Sequence, residues 1–458
     1  MQRYDFVVLG GGNAGLAAST QVAAAGRTVM LVDPTPIGGV CSLRGCTPKK
    51  VLVRATEMLQ EIRNATVHGI HVDNVRIDWN AVIDRKHGFT DGVTEATERS
   101  LAAAGVHYLR AAPRFVAPDQ IEAGGERYAF EGALVATGSA PRPLRFPGAQ
   151  HLLTSDALLE LRRVPRTLVI VGSGAVAFEF AHVFARLGSE VHVIAHSQRL
   201  LPHCDEEMVS HLVEHSMHLG IVFHRGREVT AIEHEADGHA AVLDTGERLK
   251  GEVMLNAAGR IPQVAALGLD AAGVAAGPEG VVVNEHLRSP GNPNIFAAGD
   301  ARGQPMLSPT ATYEGRLAAH NFLSREQAPA RLDAVPQAIF TVPPLAMVGE
   351  SEAMARERGS DVDVVAEEMS HWVVPSIAAA GPAFGKVISD RRSGRILGAH
   401  LFGQGADETI HIFAMAIRYG ITCARLTEMI PVYPSHASTL HHLLPGCKSN
   451  LLPGGGVA

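Results

Sequence analysis

Tyr4-Asp5-Phe6-Val7-Val8-Leu9 runs straight into Gly10-Gly11-Gly12-Asn13-Ala14-Gly15, and an alanine-rich stretch carries on to Gly26. The apolar run reads as a buried strand, the glycines as a turn, and the alanines as a helix that Gly26 ends. Glycines are needed in such a turn where the backbone must come close to a pyrophosphate, because the unpaired N–H groups and dipole of a helix N-terminus attract anions. The next apolar strand, 28–32, ends at Asp33, about 20 residues past the turn, where an acid accepts hydrogen bonds from a ribose. A lone G-x-G-x-x-G is weak. With a strand before it, a helix after it and an acid closing the unit, it marks a dinucleotide site built on Gly10, Gly12, Gly15 and Asp33.

The pattern occurs twice. Residues 167–171 (TLVIV) lead into Gly172-Ser173-Gly174-Ala175-Val176-Ala177, a helix that ends at Gly188, and a strand at 190–194. Two βαβ units suggest two dinucleotide sites. The second strand ends at Ile194-Ala195-His196-Ser197, with no acid at the ribose position. His196, Ser197 and Arg199 could meet a 2′-phosphate instead, which favours NADPH over NADH; the plainer alternative is that they are solvent-exposed turn residues.

At 458 residues the chain exceeds what one core usually supports, so two or three domains are expected. Apolar residues make up 46% and aromatics only 5%, which suits α/β layers packed closely through small residues. The net charge of −7 comes without a Lys/Arg run, so no nucleic-acid partner is expected. No secretory signal and no apolar run near the roughly 20 residues of a spanning helix is read, so a soluble cytoplasmic protein is expected. Pro/Gly-rich crossings fall at 140–150, near 259–263 and at 325–336. Strands at 338–342, 385–389 and 395–401 with a helix at 406–419 suggest a separate α+β domain, and 446–458 reads as a loose tail.

Cys41-Ser42-Leu43-Arg44-Gly45-Cys46 follows Gly38-Gly39 and precedes Thr47-Pro48-Lys49-Lys50. In a regular helix, α-carbons five residues apart lie roughly 8–9 Å apart. A disulfide needs about 4.4–6.8 Å, so a bridge requires a distorted turn, which Gly45 permits. A bond closed under strain is easier to reduce, and nearby lysines favour a thiolate once it opens. The alternative is two buried free thiols. Cys204 and Cys423 read as inert fillers, Cys447 lies alone in the tail, and no metal-ligating set is assigned.

These pieces, with LVATGSAPR (134–142), AAGRIPQ (257–263), NIFAAGDA (294–301), FTVPPLAMVGESE (340–352) and GRILGAHLFG (394–403), resemble in content and order the pyridine nucleotide–disulfide oxidoreductases. That group contains glutathione reductase, dihydrolipoamide dehydrogenase and mercuric reductase, and the resemblance covers residues 4–445. It implies an α/β fold of two Rossmann-like FAD/NAD(P)-binding domains, one inserted in the other, plus a C-terminal α+β dimerisation domain. The boundaries implied are 1–148 and 265–333 for FAD, 149–264 for NAD(P) and 334–445 for dimerisation. The resemblance implies that Gly10, Gly12, Gly15, Asp33, Thr137 and Gly138 hold the adenine half of FAD and that Asp300 binds its ribityl chain. Gly172, Gly174 and Ala177 would hold the nicotinamide cofactor. Cys46 would be the thiolate beside the flavin and Cys41 the outer cysteine that attacks substrate. One of Lys49 and Lys50 would approach the flavin and pair with Glu179. A homodimer is implied, each site completed by the partner's C-terminal segment.

That segment departs from the family pattern His-Pro-Thr-x-x-Glu: here it is Tyr433-Pro434-Ser435-His436-Ala437-Ser438. A tyrosine, with a reference pKa near 10, donates a proton but is a poor base at pH 7. His436, His441 or His442 is a candidate substitute, and a surface histidine without a catalytic role is the plainer reading of each. The expected activity is therefore NADPH-dependent reduction of a disulfide-containing small molecule or protein, or of a thiol-reactive substrate. Mercuric or other metal-ion reduction, a dihydrolipoamide dehydrogenase role, and a slow FAD-binding redox sensor stand as alternatives. Tyr433 is similar to the residue in mercuric reductase, while Ala195 and the missing His-Glu pair speak against NAD⁺ and lipoamide.

Overall fold

A computed structural model describes residues 1–236 and 238–445. Both βαβ units form. Strand Gln2–Leu9 pairs in parallel with Val29–Val32 on one side and Glu126–Val135 on the other, and Val106–Leu109 extends the sheet beyond Val29–Val32. Phe6 and Val8 enter one core and Val7 and Leu9 another, all fully buried, so both faces of the strand are covered. That burial on both faces is why the segment is apolar throughout rather than alternating.

After Glu126–Val135 the chain leaves this sheet. It builds a four-stranded parallel sheet in the order Ile221–Arg225, Glu190–Ala195, Thr167–Val171, Val253–Asn256, and an antiparallel sheet from Val229–Glu235, Gly238–Leu243 and Arg248–Gly251. It then returns, and Ile295–Ala297 pairs in parallel with Ala133–Val135 of the first sheet. The outgoing and returning segments meet as a short ladder, Ser139–Pro141 against Arg260–Pro262. One Rossmann-like unit is thus inserted in the other. Helix Ser308–Leu323 packs on helix Asn13–Ala24 so closely that a β-carbon on Gly315 would lie 2.2 Å from the Ala14 carbonyl oxygen.

The C-terminal part is a five-stranded antiparallel sheet, ordered Gln337–Ile339, Leu345–Gly349, Ile396–Phe402, Phe384–Asp390, Val362–Glu368, with helix Ala406–Tyr419 packed on it. The strand expected at 338–342 stops at Ile339, because the N–H groups of Phe340 and Val342 leave the ladder for side chains of another helix. Leu345–Gly349 and Val362–Glu368 are strands beyond those expected. Among the described residues no helix is long and apolar enough to cross a membrane. The tail at 446–458, with Cys447, lies outside the described residues.

Candidate active site

At the first turn Gly10 has φ +108°, and a β-carbon there would sit 2.3 Å from the Ala136 carbonyl oxygen. Gly12 caps helix Asn13–Ala24 in extended backbone. A β-carbon on Gly15 would lie 1.9 Å from the Gly10 oxygen, so only glycine lets the helix start this close to the strand. Asp33 is fixed where its strand ends: Gly11 N–H donates to Oδ2 at 2.6 Å, and Thr35 N–H and Oγ1–H donate to Oδ1 at 2.8 and 2.7 Å.

Gly39, at φ +73°, brings the next segment against Gly12, where an added β-carbon would come within 2.7 Å of its α-carbon. Helix Gly39–Arg44 carries Cys41. The chain breaks at Gly45, φ −139° and ψ −111°, and helix Cys46–Asn64 starts immediately. The expected distortion at Gly45 is present, and it brings the two sulfurs into hydrogen-bonding contact as free thiols. Of the two thiols Cys41 is the more acidic. The Cys46 thiol, the Ser308 hydroxyl, the Cys46 N–H and the Asn13 amide converge on its sulfur and pull it down to about 6 against the opposing effect of burial. Cys46 is pushed up by the same shared hydrogen bond, by burial and by the charge on Cys41. Asn13 also donates to the Ser308 hydroxyl.

Below the pair, Lys49 Nζ lies 2.6 Å from Glu179 Oε1, with both side chains largely buried. Of the two lysines it is Lys49 that takes Glu179. Lys50 instead faces Glu57 at 3.6 Å and Asp407 at 3.8 Å. The Phe340 ring lies under both, its centroid 4.7 Å from Lys49 Nζ and 4.1 Å from Lys50 Nζ, within cation–π range. Phe340 N–H donates to Glu179 at 2.9 Å.

The second turn repeats the backbone of the first: Gly172 has φ +123°, and a β-carbon there would lie 2.1 Å from the Ala257 oxygen. Gly174 caps helix Ala175–Arg186, facing open space, and Ala177 is buried in the core. Beyond strand Glu190–Ala195, His196 is 80% exposed and reaches Glu228 at 3.0 Å. The Ser197 hydroxyl accepts from Arg199 N–H at 3.1 Å, and Arg199 Nη2 donates to the Cys204 carbonyl at 3.0 Å. Arg199 lines a cavity of about 490 Å³ together with Arg225, which sits opposite Ala195 on the neighbouring strand.

Comparison with known proteins fixes the family. Residues 4–315 match the pyridine nucleotide-disulphide oxidoreductase model, and 335–444 match the dimerisation domain of the same family. The chain belongs to the pyridine nucleotide–disulphide oxidoreductases. It is 30% identical to a mercuric reductase of Bacillus cereus, the match covering 95% of this chain and 70% of the relative. It is equally 30% identical to a glutathione reductase of Burkholderia cepacia, over 95% and 98% of the two chains. The solved HOCl-induced flavoprotein disulfide reductase RclA of Escherichia coli superposes with a TM-score of 0.87 at 26% identity, over 96% and 99% of the chains. The relatives and the solved neighbour are oxidoreductases of the flavoprotein disulfide reductase type, and relatives named for different substrates are equally identical to this chain.

The residues of this oxidoreductase fit a flavin dinucleotide. Thr137 Oγ1 and Thr310 Oγ1 are buried without a hydrogen-bond partner, as groups awaiting a ligand would be. Gly138, at φ +70°, would meet nothing within 4 Å if it carried a β-carbon. Asp300 accepts from the Ser139 hydroxyl at 2.6 Å, and Arg260 holds that serine through its hydroxyl at 2.8 Å and its carbonyl at 2.7 Å.

The C-terminal run stands apart from this cluster. Tyr433 is 71% exposed, and among the described residues no hydrogen bond or ring contact joins Tyr433 or His436 to the cysteines of its own chain. Ser435 and Ser438 form a capping box that starts helix His436–Thr439. His436 is half-buried against Gly405, and burial lowers its pKa. His442 packs edge-on to Trp372. Sequence reading missed Asn13, Ser308 and Phe340. The signals were present: an asparagine inside the glycine turn, and a serine just before the proline of a helix start.

Proposed function

We propose that the chain takes two electrons from NADPH, passes them through FAD to a Cys41–Cys46 disulfide, and delivers them to a disulfide-containing small molecule or protein. The helix break at Gly45, which sets two thiols in contact with Cys41 the more acidic of them, carries this reading. Gly10, Gly12, Gly15, Asp33, Thr137, Gly138 and Asp300 would hold FAD, within 1–148 and 265–333. Gly172, Gly174 and Ala177 would hold the nicotinamide cofactor, within 149–264. Bound FAD supplies the two-electron relay between nicotinamide and disulfide.

In the oxidative half, the Cys41 thiolate attacks one sulfur of the substrate disulfide. A mixed disulfide forms and one substrate thiolate leaves, taking a proton. Cys46, losing its own proton, then attacks Cys41, restores the intramolecular disulfide and frees the second substrate thiol. Glu179 fixes the Lys49 ammonium beneath the pair, and that fixed charge favours the thiolate state. Tyr433 would donate the leaving-group proton across a homodimer interface formed by 334–445; its exposure and its separation from its own chain's cysteines support that. NADPH, rather than NADH, is favoured by the absence of an acid at Ala195–Ser197 and by Arg199 and Arg225 at the same strand ends. A reducing cytoplasmic compartment suits this chemistry.

Anaerobic titration with NADPH, and separately with NADH, tests the reading. A flavin bound beside Cys46 would draw the thiolate onto that sulfur, so a long-wavelength absorbance band should grow in after two electrons, vanish in Cys46→Ser and persist in Cys41→Ser. Direct bleaching of the flavin without the band would overturn the coupling to the cysteines, and full turnover in Cys41→Ser would overturn the substrate step. Mercuric-ion reduction is a second reading, favoured by the tyrosine in place of a basic histidine. It requires Hg²⁺-dependent NADPH oxidation that falls in Tyr433→Phe.

A further inference from the structure

Helix Ala175–Arg186 starts at the second glycine turn and ends on Arg186, whose side chain is buried to 1% exposure with no carboxylate of the described residues beside it. Burying a guanidinium without a counter-charge is costly, so the contacts that tolerate it are informative. They are carbonyl oxygens and imidazoles. Nη2 donates to the Val342 carbonyl and Nη1 to the His182 carbonyl at 3.3 Å, at the helix C-terminus where a cation is favoured. Burial lowers Arg186 only to about 10, so it stays charged at neutral pH.

The groups at i, i+3 and i+7 on this helix hold one three-residue segment. Glu179 accepts from Phe340 N–H at 2.9 Å, and His182 Nδ1 accepts from Val342 N–H at 3.3 Å. The Val342 carbonyl accepts from Arg186 and from His215 Nε2, the latter at 3.1 Å. His182 Nε2 is 2.8 Å from the Ser216 hydroxyl, which itself donates to the Leu212 carbonyl, so Nε2 carries the proton and Nδ1 is the acceptor. The strapped segment is the one whose Phe340 ring lies under Lys49 and Lys50.

We infer that His182 and Arg186 are positioning residues: by holding Phe340–Val342 they fix the Phe340 ring and N–H, and through these the Lys49–Glu179 pair. Lysine placement and nucleotide binding then share one rigid element, because the helix that carries the strap is the one whose N-terminus faces the nicotinamide site. The second clause rests on the function proposed above. The first does not.

The test is the rate at which an amine-acylating reagent labels Lys49 in the purified full chain, read by peptide mass spectrometry, with Lys86 as the buried internal reference. Arg186→Met and His182→Phe should each speed Lys49 labelling relative to Lys86 at least about threefold, and Arg186→Lys, which keeps a donor for Val342, should restore part of the protection. Adding Glu179→Gln to Arg186→Met should speed labelling no further than Glu179→Gln alone, since both act through one pair. Unchanged relative labelling in a folded Arg186→Met or His182→Phe chain overturns the inference. Should both variants unfold, Phe340→Leu carries the same expectation and the same refutation. In FAD-loaded protein the variants should also move the flavin midpoint potential, which a loss of stability alone would not. A wild type that NADPH fails to reduce would sink the proposed function while leaving the labelling result intact.

Discussion

The two glycine turns share a backbone and differ in everything attached to it. Gly10 and Gly172 have positive φ within 15° of each other, and both lie against a neighbouring carbonyl closely enough to forbid a β-carbon. Gly12 and Gly174 cap their helices in the same extended conformation. The third position diverges, since Gly15 has no room for a methyl group while Ala177 keeps one in the core. So do the strand ends. Asp33 is held by three donors, whereas His196 lies on the surface beside Glu228. The glycine turn is duplicated as a piece of main chain, while the side chains around it were not copied. The cysteine pair belongs to the first half alone, packed through Gly39 against Gly12.

The hardest blow to this contrast is Gly15→Ala. A methyl 1.9 Å from a carbonyl oxygen should cost more than ~3 kcal/mol and abolish FAD loading, measurable as flavin content and thermal unfolding. Next is the pH dependence of Cys41. Its pKa is lowered to about 6, so iodoacetamide alkylation of the reduced protein should hold a plateau above that pH and fall about tenfold per pH unit below it. Cys46 should stay slow throughout, and equal labelling of the two would count against the assigned charge.

Asp33→Ala strands the N–H groups of Gly11 and Thr35 and should cost roughly 2 kcal/mol, weakening FAD binding by about thirtyfold in a calorimetric titration of apoprotein. His196→Asp places an acid where the second half lacks one. It should move the ratio of NADPH to NADH efficiency toward NADH by only about fivefold, as expected of an exposed charge. A change as large as that from Asp33→Ala would make the two strand ends equivalent after all.

What the sequence made legible was whatever is local. Strand Thr167–Val171 and helix Ala406–Tyr419 have the expected limits, because a short apolar run next to glycines and a 3.6-residue period are contained in a dozen residues. The distortion at Gly45 was legible for the same reason. Val362–Glu368 was not, since this edge strand mixes charged with apolar residues and so blurs its alternation. The environment of Cys41 was least legible. Asn13 and Ser308 lie 295 residues apart, and Glu179 and Phe340 161 apart, so no period or spacing relates them. The partner of Glu179 was narrowed to two lysines because adjacent residues differ only in the direction the helix gives them.

The start of helix Cys46–Asn64 bears on ionic strength. A 19-residue helix presents its first N–H, that of Cys46, to the Cys41 sulfur, and neighbouring hydroxyl and amide groups complete the shell. Mobile ions screen exposed charges over roughly 8–10 Å but act little on dipoles fixed within hydrogen-bonding distance of a partly buried sulfur. The readiness of this thiolate to react should therefore be nearly constant from dilute buffer to strong brine.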